Sequence, residues 1–246
     1  MLTFLRKIRK SLIDTGSARK YMLYAVGEIL LVMIGILLAL QINNWNDRMH
    51  DEAFFIEMLG EIKTDLKRDT FRFNRASEGL QKSIQYKMLG LEKKEFRFED
   101  LDSIPYYIYP IRYEWEITDH GFRRLIRTEF NLPKKYRNIY NEMDRLYNVI
   151  NHSNIELINN KNSFDQMSDQ YFLNQSIFEI DTGTEYPMLQ DPKEKFINIQ
   201  SFLADPNTRN LIKVDILMME DLLRQTERVK KTTIELLEMI KEHLPE

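Results

Sequence analysis

Apolar and polar positions follow three different patterns along the chain. The first has no period: Tyr21 to Ile42 reads YMLYAVGEILLVMIGILLALQI, and Ile29 to Leu40 contains no polar side chain. As a helix at about 1.5 Å per residue, this stretch reaches about 33 Å, enough to cross a hydrocarbon core. It predicts a transmembrane helix over 21–45. The second pattern is a stripe. Between Asp47 and Leu89 there is no Pro, and Phe55, Leu59, Ile62, Leu66, Phe73, Ala76 and Leu80 recur in steps of four, three and seven. That period belongs to an amphipathic helix. It predicts that the membrane helix runs on, with a bend near Asn43–Asn46; Gly60 and Gly79 weaken such a helix without stopping it.

The third pattern is interruption. Over 92–118, Pro105 and Pro110 break the aromatic run Tyr106-Tyr107-Ile108-Tyr109, with Tyr113 and Trp115 close behind. A loop with one short helix near Glu99–Ile104 is expected, its aromatics covering the end of a bundle. Asp119 is placed to cap a short helix over Gly121–Arg127. Asn131 and Pro133 open another long helix, with the stripe Tyr136, Tyr140, Met143, Tyr147, Ile150, Leu157, Phe164 and Tyr171. Asn154, Lys161 and Ser168 hold the in-phase positions within it. Residues 174–200, with Gly183, Pro187 and Pro192, read as a loop. Asp205-Pro206 is an acidic cap followed by Pro in the first turn, a helix start. The last helix is expected to reach His243, with Ile212, Ile216, Met219 and Leu223 returning in phase as Leu237, Ile240 and Leu244.

These elements predict an all-α fold, with one N-terminal transmembrane helix running into an antiparallel helical bundle of long helices. Composition agrees. Only 8 Gly and 7 Pro occur in 246 residues, and 43% of residues are hydrophobic. A chain poor in breakers favours long helices. The absence of cysteine excludes disulfides, thiolate metal sites and a Cys nucleophile.

Charge adds topology. The first 20 residues hold Arg6, Lys7, Arg9, Lys10, Arg19 and Lys20 against Asp14, a net of +5; residues 47–246 hold 29 basic and 36 acidic residues, a net of −7. A basic flank before the span places the N-terminus in the cytoplasm. Residues 1–20 then form a cytoplasmic tail, and 46–246 a domain on the other side of the membrane. Tyr21 and Tyr24 at one end and Trp45 at the other suit the two lipid interfaces. The apolar run is long for a signal peptide, and no A-x-A site follows it. No basic block follows the first 20 residues, so no nucleic-acid partner is expected; the expected partners are the lipid bilayer and either further copies of the chain, as a homo-oligomer, or another membrane protein.

Glu28 lies inside the span, where a carboxylate costs a few kcal/mol. Tyr21, Glu28, Gly35, Ala39 and Asn46 fall within about 20° of one line on a helical wheel. Gly35 and Ala39 form a small-xxx-small pair that lets helices approach. The face formed by Glu28, Gly35, Ala39 and Asn46 can be a seam between copies of the chain or with another membrane protein. Alternatively Glu28 relays protons or ions, or it snorkels to the cytoplasmic headgroups.

Catalytic chemistry is not evident. There is no Gly-rich phosphate loop, no G-x-S-x-G and no H-E-x-x-H. His50, His120, His152 and His243 stand apart, and His120 reads as a neighbour of a helix start. Glu57, Glu61 and Asp65 form a carboxylate row better explained as a solvated face than as a metal site. Arg123, Arg124 and Arg127 form a small basic cluster. No catalytic residue, cofactor or metal is assigned.

The stretch KYMLYAVGEILLVMIGILLALQINNWN, Lys20–Asn46, resembles the signature of a family of single-pass membrane proteins of unknown function common in Bacteroidota. Its members carry a similar G-E-I…I-G-I…A-L-Q-I-N-N-W-N run behind a short basic tail. Glu28, Gly35, Gln41, Asn43, Asn44 and Trp45 match. Gly121-Phe122-Arg123-Arg124-Leu125-Ile126 and Phe202-Leu203 to Leu211 match more loosely. The resemblance implies an inner-membrane location and a helical periplasmic domain, and supplies no activity. The expected function is a non-enzymatic envelope module that assembles through its membrane helix. The alternatives are a periplasmic sensor or gating subunit, and a proton-coupled stator-like subunit using Glu28; an enzyme ranks last.

Overall fold

The computed structural model describes residues 18–108, 116–175, 179 and 189–244, and among them there is no strand. Helix α1 spans Ala18–Glu92 without interruption. A 3-10 turn, Phe98–Ser103, leads into the short α2, Ile104–Ile108. α3 spans His120–Arg127. A 3-10 turn at Lys134–Tyr136 leads into α4, Arg137–Asp144, which passes through a π turn, Arg145–Ile150, into α5, Asn151–Gln175. α6 spans Pro192–Ala204 and α7 Pro206–His243. The fold is all-α with one long apolar N-terminal helix.

The chain divides into two compact units, one of Met1–Phe55 with Phe130–Pro133, the other of Ile56–Glu129 with Lys134–Glu246. Within the first, the Phe130 ring meets Phe54 edge-on at 5.4 Å and stacks on Phe55 at 6.0 Å, and Asn131 Nδ2 donates to Asp51 Oδ2 at 3.2 Å. Aromatic burial and one amide bond thus hold a short loop against the helix.

The second unit carries the core. The α1 stripe is buried as its spacing requires: Leu59, Ile62, Leu66, Phe73 and Leu80 are fully enclosed, and Ala76 is half-buried. α7 runs antiparallel to α1, with Lys87 beside Asp215 and Leu80 packed in one cluster with Leu222. The segment 137–175 runs in the same sense as α1, since Gly121 bonds Asp65, Phe122 stacks on Tyr147, and Lys161 lies beside Asp215. In the π turn, the Asn151 N–H donates to Leu146 O, five residues back. One extra residue in that turn brings both Leu146 and Tyr147 into the core.

Two expectations need correction. Residues 174–200 are not all loop, because α6 begins at Pro192. Asp191 accepts from the Lys193 and Glu194 N–H groups at 2.9 and 3.1 Å, and Pro192 fills the first helical position. This is the same Asp-Pro start that opens α7, where Asp205 accepts from Thr208 N–H at 2.9 Å. The α7 stripe is buried as expected at Ile212, Met219, Leu237 and Ile240, but shifts by one residue at two positions. Asp215 and Leu222 are enclosed, where an apolar-only reading chose Ile216 and Leu223, which are half-buried. Polar side chains occupy core positions in this helix, so hydrophobicity alone misplaces the face.

Candidate functional site

Among the described residues one helix, near the N-terminus, is long and apolar enough to cross a membrane, and none of its apolar 18-residue window is buried. Leu31 is 72% exposed and Leu38 54%. A core helix of the same composition would be covered, so the uncovered surface weighs towards lipid as its solvent. Gly35, Ala39, Asn46 and Trp45 are exposed, while Tyr24 and Glu28 are half-buried. A Cβ on Gly35 would meet no other atom within 4 Å. Arg19 is exposed. Arg6, Lys7, Arg9 and Lys10 lie outside the described residues, as do the side chains of Lys20 and Tyr21.

Among the described residues of the second unit, two buried centres gather ionic side chains. The first fixes α3. Asp69, fully enclosed on α1, accepts the Thr118 N–H and the Thr118 hydroxyl, each at 2.7 Å. One turn earlier, Asp65 accepts the Gly121 N–H at 3.2 Å. The cap of α3 is therefore supplied by α1. Asp119, expected to cap this helix, makes no cap bond and instead accepts from Arg123 Nε at 2.6 Å. Burial pushes the Asp69 carboxyl above the ordinary carboxylate value, against the Thr118 hydrogen bonds and the Arg72 charge that pull it down. Tyr147, stacked on Phe122 at 4.5 Å, has a buried hydroxyl with no hydrogen-bond partner. Burial, then the charges of Asp69, Asp65 and Asp119, raise its pKa.

The carboxylate row and the basic cluster meet here. Arg124 reaches from α3 to Glu57 at 3.2 Å and pairs with Glu61, while Asp65 is committed to Gly121 and Arg68. Three oxygens facing different donors do not converge on a cation, and no cluster of three metal-ligating side chains occurs among the described residues. His120 is exposed at the start of α3.

The second centre is a charged layer. Asp215 on α7 receives Lys87 of α1 at 2.9 Å through Oδ2 and Lys161 of α5 at 2.9 Å through Oδ1; Lys161 also pairs with Asp165. The Lys161–Asp215 contact is an ion pair without hydrogen-bond alignment at Oδ1. Lys87 also donates to Ile108 O at 3.4 Å. All four side chains are at most 5% exposed. Burial pulls the Lys87 amine below its ordinary value against the pull of Asp215, and pushes the Asp165 carboxyl above its own against Lys161.

Residues 28–182 match the Family of unknown function (DUF6090). The chain belongs to this family. The match includes the uncovered part of α1 from Glu28 onward, both carboxylates that fix α3, and Lys87, Lys161 and Asp165; Asp215 lies beyond it. No curated protein and no solved structure matches the chain.

Sequence reasoning placed Lys161 in phase with the core stripe but drew no partner for it, and it missed Asp69, Lys87 and Asp215. Their signal was positional. Asp69 fills the skipped step between Leu66 and Phe73, Lys87 lies seven residues beyond Leu80, and Asp215 three beyond Ile212. An ionic residue at an enclosed helical position needs a partner on the facing helix.

Proposed function

We propose that the chain is a membrane-anchored, non-enzymatic helical module. It assembles with itself or with another membrane protein through the Glu28, Gly35, Ala39 and Asn46 face and presents its helical domain in the periplasm. The observation that carries the reading is the uncovered apolar surface of α1. Leaving that surface in water would expose a contiguous patch far larger than soluble monomers tolerate. The +5 charge of the first 20 residues supports a cytoplasmic N-terminus. Small side chains at Gly35 and Ala39, open to the surroundings, support a close helix–helix approach.

Light scattering on the full-length protein in detergent, beside Gly35→Leu, tests the assembly. A defined oligomer in the wild type, broken by Gly35→Leu, supports a seam between copies. Monomers in both remove self-assembly, and the face then belongs to a different membrane protein. Alkaline carbonate extraction and protease treatment of spheroplasts test the anchor and its sense. Release by carbonate, or a domain that resists protease until the inner membrane is lysed, would overturn the corresponding half of the reading.

A further inference from the structure

The charged layer lies between two apolar clusters. One consists of Ile104, Tyr107, Ile108, Phe172, Ile199, Phe202, Leu203 and Ile212; the other of Leu80, Ile84, Met219 and Leu222. They have no buried residue in common, and the half-buried Ile216 touches both. The layer is interposed on both long helices. On α1, Lys87 follows Ile84 by one turn; on α7, Asp215 falls between Ile212 and Met219. The first cluster, with α2 and α6, forms a cap. It is tied to the end of α1 by Arg209 Nη2 donating to Leu91 O at 2.7 Å, and to the segment that follows α1 by Gln200 Nε2 donating to Phe96 O at 2.9 Å.

We propose that the Lys87–Asp215–Lys161–Asp165 layer is a parting line, along which the cap opens while the rest of the bundle stays folded. Water entering an apolar layer meets hydrocarbon and raises the free energy. Water entering this layer rehydrates four ionic groups and offsets the loss of their mutual attraction. Asp165 Oδ2 is buried with no hydrogen-bond partner, so hydration restores a bond that the closed state lacks. The shifts at Lys87 and Asp165 agree, because burial is the leading cause of both and opening removes it. Outside the layer the cap is held by local contacts: the two side chain to carbonyl bonds, Tyr171 Oη donating to Asp205 Oδ2 at 3.0 Å, Lys93 paired with Asp100, the Tyr86–Tyr106 and Phe172–Phe202 ring contacts, and Gly90, where a Cβ would sit 2.7 Å from Tyr107. The opening therefore separates the first cluster from the second and leaves Leu80, Ile84, Met219 and Leu222 packed.

Native-state hydrogen exchange of the full-length protein in detergent, read by mass spectrometry, tests this. The slowest amides of 98–108 and 192–212 are expected to exchange about tenfold or more faster than the slowest of 58–84 and 219–240. Replacing the layer by apolar residues, Lys87→Met, Lys161→Met, Asp165→Leu and Asp215→Leu together, should slow the cap and bring the two sets within about threefold. The charge-balanced pair Lys161→Met and Asp165→Leu should narrow the gap in the same direction, and serves if the fourfold variant does not fold. The proposal is overturned if the wild-type sets exchange at one rate. It is also overturned if every variant that folds leaves the gap unchanged.

Discussion

A single carboxylate, Asp69, shows how much one buried side chain decides. It holds two Thr118 donors from a fully enclosed position. Asp69→Ala leaves both unpaired and should cost about 2–4 kcal/mol in the full-length protein, measured by urea unfolding in detergent. Its ionisation gives a second test. Because the folded pKa is raised above the ordinary 3.8, the stability this carboxyl contributes is complete below 3.8 and lost as the pH rises through the folded value. The stability difference between wild type and Asp69→Asn should accordingly fall over that window and then level off. A difference flat across the acid range would show that the carboxyl is not buried as described. Asp205 behaves in the opposite sense. Its carboxyl is held low, mainly by the Thr208 N–H, so its stabilisation is present above 3.8 and lost as the pH falls through the depressed value.

Among elements, caps and close approaches set where helices begin and how near they come. Asp191 and Asp205 show that the Asp-Pro start was written twice in the sequence, and a reading that counted Pro as a breaker missed the first. Asp205→Ala should lower stability, read as a fall of the urea midpoint at constant slope. Two glycines should respond with opposite signs. A Cβ on Gly121 would come within 2.9 Å of Ile62 Cγ1 and 3.0 Å of the Ile62 backbone nitrogen, whereas at Gly60 nothing lies within 4 Å. Gly121→Ala should destabilise by about 1–3 kcal/mol through overpacking. Gly60→Ala should stabilise by about 0.5–1 kcal/mol through helix propensity. Equal effects of the two would mean that α3 does not pack on α1 through this glycine.

At the scale of the whole molecule, the second unit is a bundle whose interior is partly ionic. Removing one member of the charged layer strands another. Lys161→Met leaves Asp165 without its cation and removes one of the two partners of Asp215, and should cost about 3–5 kcal/mol. The fully apolar replacement should be neutral or more stable by about 1–4 kcal/mol, so four substitutions should harm less than one. Chemical denaturation of the two variants side by side decides it. A single variant as stable as wild type would mean that the four groups are hydrated rather than buried.

The sequence by itself determined the long helices and the apolar run of α1. Both are local properties, set by the spacing of apolar residues, the scarcity of Gly and Pro, and charge on one side of a long hydrophobic stretch. It also marked Asn154, Lys161 and Ser168 as standing in core register. Only the tertiary structure decided what those polar positions meet. Lys87, Lys161 and Asp215 lie far apart in the chain, and Asp65 caps a helix that begins 55 residues later, at His120. A buried charge is stable only beside its partner, and the partner belongs to another helix. Pairing therefore depends on which helices pack together and in what register, which no single helix encodes.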